Sequence, residues 1–230
     1  KDLSGACMYK TNLRRADLNN TNLYEANLRQ ADLFGANLYR ANLHNAILYG
    51  ANLMGTTLYR ANFHGADLRE VEFQKVYLGG VNFQEVNLES VDLRGAVFRG
   101  ADLCKANMKH ARLIKADMFE ASLQYTCLQQ ANMEGAQLQR ADLRKAKLKK
   151  TNLQLADFKG ANLQAADFRQ ADLKGANLQK TKVIKAHFRG ADLRGANVTG
   201  VDFSKANIDG ALFNEADKIK LDTKKKGGKK

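Results

Sequence analysis

Residues 26–53 read ANLRQ ADLFG ANLYR ANLHN AILYG ANL, a pattern that recurs every five residues. Alanine takes the first position of the unit and Asn or Asp the second. Leu takes the third, called the centre below, and two variable, mostly polar residues close the unit. The same phase runs from Leu3 to Phe213 without an insertion. A period of five fits neither the 3.6 of a helix nor the 2 of a flat strand. A helix with Leu at every fifth residue would wind its apolar stripe around the whole surface, with nothing to bury it against. The pattern works if each unit is one straight side followed by a corner, so that the centre and the preceding Ala both point inward. Successive turns of such a chain bond backbone to backbone at about 4.8 Å, as neighbouring strands do. Short-period self-similarity of this kind predicts a solenoid.

Composition agrees. Proline is absent from all 230 residues, as expected of a ladder that uses backbone N–H groups along its whole length. About 15 of the 18 glycines occupy the fifth position, among them Gly35, Gly50, Gly65, Gly100 and Gly190. Recurrent Gly at a corner predicts a turn with positive φ.

The pattern resembles the pentapeptide-repeat family, whose motif is A(D/N)LXX, over roughly 43 units. Departures are mild: Thr replaces the first-position Ala at Thr11, Thr21, Thr56, Thr126, Thr151 and Thr181, and Val does so at Val71 through Val91 and at Val201. The resemblance implies an all-β fold, a right-handed quadrilateral parallel β-helix of four units and about 20 residues per coil. Nearly eleven coils would make a rod roughly 50 Å long. The expected organisation is one β-helix over 1–217 and a basic tail over 218–230, KIKLDTKKKGGKK, largely disordered. Lys1 already sits in an inward position, so the chain is expected to begin inside a longer protein, after removal of a leader, or at an artificial boundary. No stretch reads as a membrane span. The run of Val at 71–91, with Phe73 and Phe83 as centres, predicts a locally wider or differently turned coil.

A twenty-residue coil places residues 20 apart in one column. Tyr39 and Tyr59 then stack in the fourth position of one side. Tyr77 and Val97 continue the apolar path in the second position, Phe119 ends it, and Arg40 and Arg60 rim the corner. Gly79, Gly80 and Gly100 are expected to leave the surface low beside them. Contiguous exposed aromatics edged by Arg make a candidate protein-binding face; the same tyrosines could equally serve as a stabilising ladder. The second half is basic: about fourteen Lys and Arg against five Asp from Arg140 to Arg194, in a chain of net charge +13. Lys149, Lys150, Arg169 and Arg189 are the candidate anion-binding residues, in a column that Lys109 begins and Gln129 interrupts.

Other groups suggest less. His44 and His64 should stack on adjacent coils, but no Cys or carboxylate column completes a ligand set, and no metal or cofactor is expected. Cys7, Cys104 and Cys127 all face outward, and their places in the coil do not bring any two together. An odd, unpaired set predicts a reducing compartment such as the cytoplasm; the family resemblance makes a cyanobacterial or plastid origin a reasonable guess. No catalytic motif is present, the Asp residues follow the repeat, and small inward Ala leaves no room for a substrate. The chain is therefore expected not to be an enzyme. Three functions stay open: a scaffold or rigid spacer binding a protein of unknown identity, a basic-face binder of nucleic acid or other polyanions, and a partner of DNA gyrase or topoisomerase as some family members are. The positive charge opposes the DNA mimicry that the last would need.

Overall fold

The computed structural model describes residues 1–73 and 76–217. Parallel bridges join second-position residues 20 apart, from Asp2↔Asn22 to Asp192↔Leu212. Four units therefore close one coil, and each side of the square is a single bridged residue between two-residue turns.

The unit's shape follows from where its five backbone N–H groups go. In the unit beginning at Ala6 and those around it, the first-position N–H of Ala6 donates to the Leu3 carbonyl across the corner, at 3.1 Å. The centre N–H of Leu3 donates to Asn22 one coil on, at 2.8 Å, and the fifth-position N–H of Gly5 to Tyr24, at 2.7 Å. The second-position N–H of Asn27 reaches back to Ala6, at 2.9 Å. The fourth-position N–H has no backbone acceptor in this scheme. The second-position side chain takes it: Ser4 N–H donates to Asp2 Oδ1 at 3.0 Å, and Phe34 N–H to Asp32 Oδ1 at 3.1 Å. Asn and Asp recur because their short side chains accept a hydrogen bond two residues on. Asn also bonds from coil to coil, as in the column Asp2, Asn22, Asn42, Asn62, Asn82, where each Nδ2 donates to the Oδ1 one coil earlier at 2.9–3.1 Å.

The i to i+3 bond across the corner, with positive φ at its third residue, meets the requirement of a type II turn. Among the described residues Gly supplies this at 15 corners, but 25 non-glycine residues adopt it too, with φ between 52° and 62°. Most are Arg, Lys, Glu, Gln or Asn, and Tyr125 and Leu155 are among them. The left-handed region costs an L-residue about 1–2 kcal/mol. The structure sustains that cost because the corner N–H is fixed in the ladder.

First and third positions form the core. Leu23, Leu43, Phe63 and Phe83 make one inward column, and Leu18, Leu38, Leu58 and Leu78 another, all buried. Phe63 and Phe83 stack with centroids 5.3 Å apart, and Phe168 and Phe188 at 4.9 Å. Where Thr replaces the inward Ala, its hydroxyl finds a carbonyl: Thr126 donates to Leu103 and Thr151 to Leu128, both at 2.8 Å. The Val run opens the corners as its bulk requires. Corner bonds donated by Ala measure 2.8–3.1 Å, whereas those donated by Val71, Val76, Val81, Val86 and Val91 measure 3.3–3.4 Å. At the end of the described chain, residues 215–217 form one helical turn. The expected basic tail, 218–230, lies outside the described residues.

Replacing Leu38, which is fully buried, by Asp places an uncompensated carboxyl between layers. Leu38→Asp should destabilise the rod by more than about 4 kcal/mol. A thermal melt followed by circular dichroism checks this, and a melt matching wild type would contradict the inward column.

Candidate interaction surface

The side with centres Leu38, Leu58, Leu78, Phe98 and Met118 carries the aromatic path. Tyr39 and Tyr59 stack as expected, with centroids 6.3 Å apart and planes 23° from parallel. Tyr59 is 43% exposed and Tyr77 54%, while Tyr39, Val97 and Phe119 are half-buried. Three details differ from the sequence expectation. Arg40 and Arg60 do not merely rim the corner: their guanidinium groups lie over the Tyr39 and Tyr59 rings, 5.1 and 5.4 Å from the centroids. Phe119 is likewise flanked by Arg99, at 5.2 Å, and Arg140, at 5.9 Å. Gly79 is not a low point. A Cβ there would collide with Cζ and Oη of Tyr77, so the Tyr77 ring occupies the space that a fourth-position side chain would fill. Gly79 lacks the positive φ of the corner glycines, and its role is room for that ring. Gly80 is packed by Tyr59, whose Cε2 lies 3.5 Å from where its Cβ would be, while Gly100 is open. Tyr39 and Tyr59 thus stack across adjacent coils, and Tyr77, one coil further on, folds onto Gly79 while its backbone bridges Val97.

A local signal in the sequence marks this path. Thr57, Tyr77 and Val97, consecutive in one column, replace the Asn or Asp that would hold the fourth-position N–H. The opposite side, with centres Met108, Leu128, Leu148, Phe168 and Phe188, has two consecutive departures of the same kind at Cys127 and Lys147.

That second side is the basic one, and its four candidates are not equivalent. Arg169 is bound to Asp167 two residues earlier, Nε to Oδ1 at 2.8 Å and a terminal nitrogen to Oδ2 at 2.7 Å. The same fork joins Arg69 to Asp67, Arg94 to Asp92, Arg144 to Asp142 and Arg194 to Asp192. Arginine two residues after Asp is pinned to the carboxylate that begins the turn, a rule readable in the sequence. Arg189 follows His187 and escapes it. Among the described residues, Lys109, Lys149, Lys150 and Arg189 make no ion pair. A depression of about 220 Å³ lies between Lys109, Gln129, Gln130, Lys149 and Lys150.

His44 and His64 have centroids 4.7 Å apart, with Tyr24 edge-on to His44 at 5.4 Å. Among the described residues, no group of three or more His, Cys, Asp or Glu is placed to hold a metal ion. The three cysteines are free and outward, and burial raises the Cys104 thiol above its ordinary pKa. No helix of the described residues is long and apolar enough to cross a membrane.

Two outcomes follow. Gly79→Ala should swing the Tyr77 ring into solvent while changing stability by about 1 kcal/mol or less, seen as faster chemical nitration of Tyr77. The Asp192 carboxyl is held at about 2, below 3.8, first by the Arg194 hydrogen bonds, with Lys174 adding to them. Its contribution to stability is present above 3.8 and fades as pH falls through about 2. Asp192→Asn should therefore melt below wild type at neutral pH, with the two melting temperatures converging at the acid end of that window.

Comparison with family models matches eight copies of pentapeptide repeats, in segments running from residues 2–35 through 184–217. Comparison with curated proteins gives no match. Among solved structures, the chain is similar to HetL, a pentapeptide repeat protein involved in heterocyst differentiation regulation from the cyanobacterium Nostoc sp. strain PCC 7120. Identity is 31%, over 93% of this chain and 90% of HetL, with a TM-score of 0.51. A pentapeptide repeat protein from the Arabidopsis thaliana thylakoid lumen is 29% identical over 54% of this chain and 75% of its own, with a TM-score of 0.25. The plasmid-mediated fluoroquinolone resistance protein QnrB1 is 23% identical over 85% and 95%, with a TM-score of 0.45. With the five-residue phase, the coil of 20 and these matches together, the chain belongs to the pentapeptide-repeat family and is a right-handed quadrilateral β-helix.

Proposed function

We propose that this β-helix is a non-catalytic protein-binding scaffold or rigid spacer, docking its partner on the side that carries Tyr39, Tyr59, Tyr77, Val97 and Phe119. The observation that carries the reading is the run Thr57, Tyr77, Val97. On three successive coils the residue that would bond the turn is given up, and in its place stands an exposed apolar path. Rigid aromatics that lose little entropy on docking, with Arg40 and Arg60 stacked on them, have the composition of an interface hot spot. The likeness to HetL, a protein involved in regulation, favours binding over chemistry. The net charge of +13 counts against a DNA-mimicking gyrase partner. Three free cysteines favour the cytoplasm or another reducing compartment, and the likeness to HetL favours a cyanobacterial or plastid setting.

A second reading, attraction of polyanions to the C-terminal half, is supported by the unpaired Lys149, Lys150 and Arg189. Arg169 contributes less because Asp167 holds it.

The Tyr39→Ser, Tyr59→Ser, Tyr77→Ser triple variant should lose partner or self-association in analytical ultracentrifugation with its melting temperature nearly kept. A large drop in melting with association unchanged would reduce the ladder to a structural role. For the second reading, Lys149→Gln, Lys150→Gln, Arg189→Gln should elute from heparin at lower salt than a chain lacking Lys224–Lys230. Equal loss from the tail deletion would assign the attraction to the tail.

A further inference from the structure

The depression on the basic side has the features of a discrete site rather than of a charged face. It spans three coils: Lys109 on the first, Gln129 and Gln130 on the second, Lys149 and Lys150 on the third. The frame is fixed by the ladder, with His110 N–H donating to Gln129 at 3.1 Å, Gln130 N–H to Lys149 at 3.1 Å and Lys150 N–H to Arg169 at 3.0 Å. Left-handed φ at Gln130 and Lys150 turns the chain at their corner. Lys109, Gln129 and Lys149 are half-buried, so their stems line the hollow.

The donors are free and no carboxylate lines the hollow. Among the described residues the ammonium groups of Lys109, Lys149 and Lys150 have no ion-pair partner. Gln129, which interrupts the basic column, is held by its oxygen: Cys127 Sγ–H donates to its Oε1 at 3.6 Å, which leaves the amide NH₂ free to donate. The acids beyond the rim are engaged elsewhere. Glu89, one coil below Lys109, accepts from Asn107 Nδ2 at 3.2 Å, and Asp167 is held by Arg169.

The chemistry of the set selects its ligand. Planar carboxylates are matched by the fork of Arg, whereas Lys binds phosphate as a point charge. The hollow is open and shallow, about 220 Å³ against the roughly 300–1,000 Å³ of clefts that bury drug-sized ligands, so it suits a small ligand. We propose that this depression binds a compact soluble phosphate compound of pyrophosphate size, held by the ammonium groups of Lys109, Lys149 and Lys150, with the Gln129 and Gln130 amides donating. The site rests on the anion attraction of the second reading but requires more than net charge.

The test is isothermal titration of the full chain with pyrophosphate at about 150 mM salt, where long-range charge effects are screened. One saturable event per chain is expected. Lys149→Gln should weaken it about tenfold or more, and Gln129→Leu, which leaves the charge unchanged, about fivefold or more. Lys159→Gln, on another side of the rod, should change it less than about twofold. A flat titration, an equal loss from Lys159→Gln, or wild-type binding by Gln129→Leu would overturn the site. So would binding seen only with long single-stranded DNA and rising with its length. Heparin retention separates this failure from that of the second reading. If the Lys149, Lys150, Arg189 variant loses retention while pyrophosphate gives no heat, a diffuse basic face stands and the site falls. Melting temperatures matching wild type confirm that each variant is folded.

Discussion

A backbone N–H removed from water without an acceptor is expensive, and this chain meets that constraint five residues at a time. Four of the five N–H groups in a regular unit find carbonyls, in the same corner or in a neighbouring coil. The fifth needs a side chain, and the Oδ1 of Asn or Asp in the second position supplies it. The motif is the written form of this accounting. Ala comes first because only a small residue fits inside the corner, as the stretched bonds at Val71–Val91 show. Leu fills the square, Asn or Asp closes the turn, and Pro is excluded because no position has an N–H to spare.

The same accounting shapes the electrostatics. An Asp that accepts from the fourth-position N–H has a second oxygen facing outward, and an Arg in the fourth position reaches it without leaving its own unit. Asp67, Asp92, Asp142, Asp167 and Asp192 each hold an Arg this way, and their pKa values are lowered. Exposed pairs of this kind contribute little to stability. Their larger effect is on the field, because they neutralise arginines and leave the excess charge on lysines that follow no Asp, among them Lys109, Lys149 and Lys150. The excess positive charge of the second half is therefore carried mainly by lysines.

Most of the fold was legible because one local rule repeats. The 20-residue bridges, the inward columns and the Tyr39–Tyr59 stack all follow from phase and coil length. What the phase could not convey was how side chains of different units share space. Tyr77 belongs by position to the second-place column, yet its ring lies over Gly79, because an aromatic beside a missing side chain gains contact by folding onto it. Arg40 and Arg60 were placed at the corner correctly, but their long stems allow them to lie back over the rings. Arg169 and Arg189 hold the same place in the repeat and differ only in what stands two residues earlier, Asp167 or His187. Column counting treated them alike; the turn chemistry separates them. The corners carried a further lesson: glycine marked the left-handed position, but among the described residues 25 others share it, because the ladder rather than the side chain enforces φ.

A scaffold this regular makes its exceptions informative. Replacing Asn or Asp in the second position exposes one N–H to water and removes one inter-coil bond, a small loss at any single site. Scattered losses would be expected from drift, and Arg112 and Gln137 are of that kind. Thr57, Tyr77 and Val97 are different: they lie on successive coils in one column, so their losses weaken the same strip of the rod. A strip weakened three coils running gains from other contacts across the same rungs, and the Tyr39–Tyr59 stack adds one, a modest gain of the kind cross-strand pairs give. That stack would offset the loss equally well if covered by further polar residues, yet Tyr59 and Tyr77 remain exposed. Stability accounts for the stacking but not for the exposure. Cys127 and Lys147 repeat the arrangement on the opposite side, directly beside the free lysines of the depression. Both candidate surfaces thus sit where the backbone has released its usual side-chain partner, and because the rod fixes every column at about the strand spacing, whatever binds there meets donors and rings set on a rigid grid.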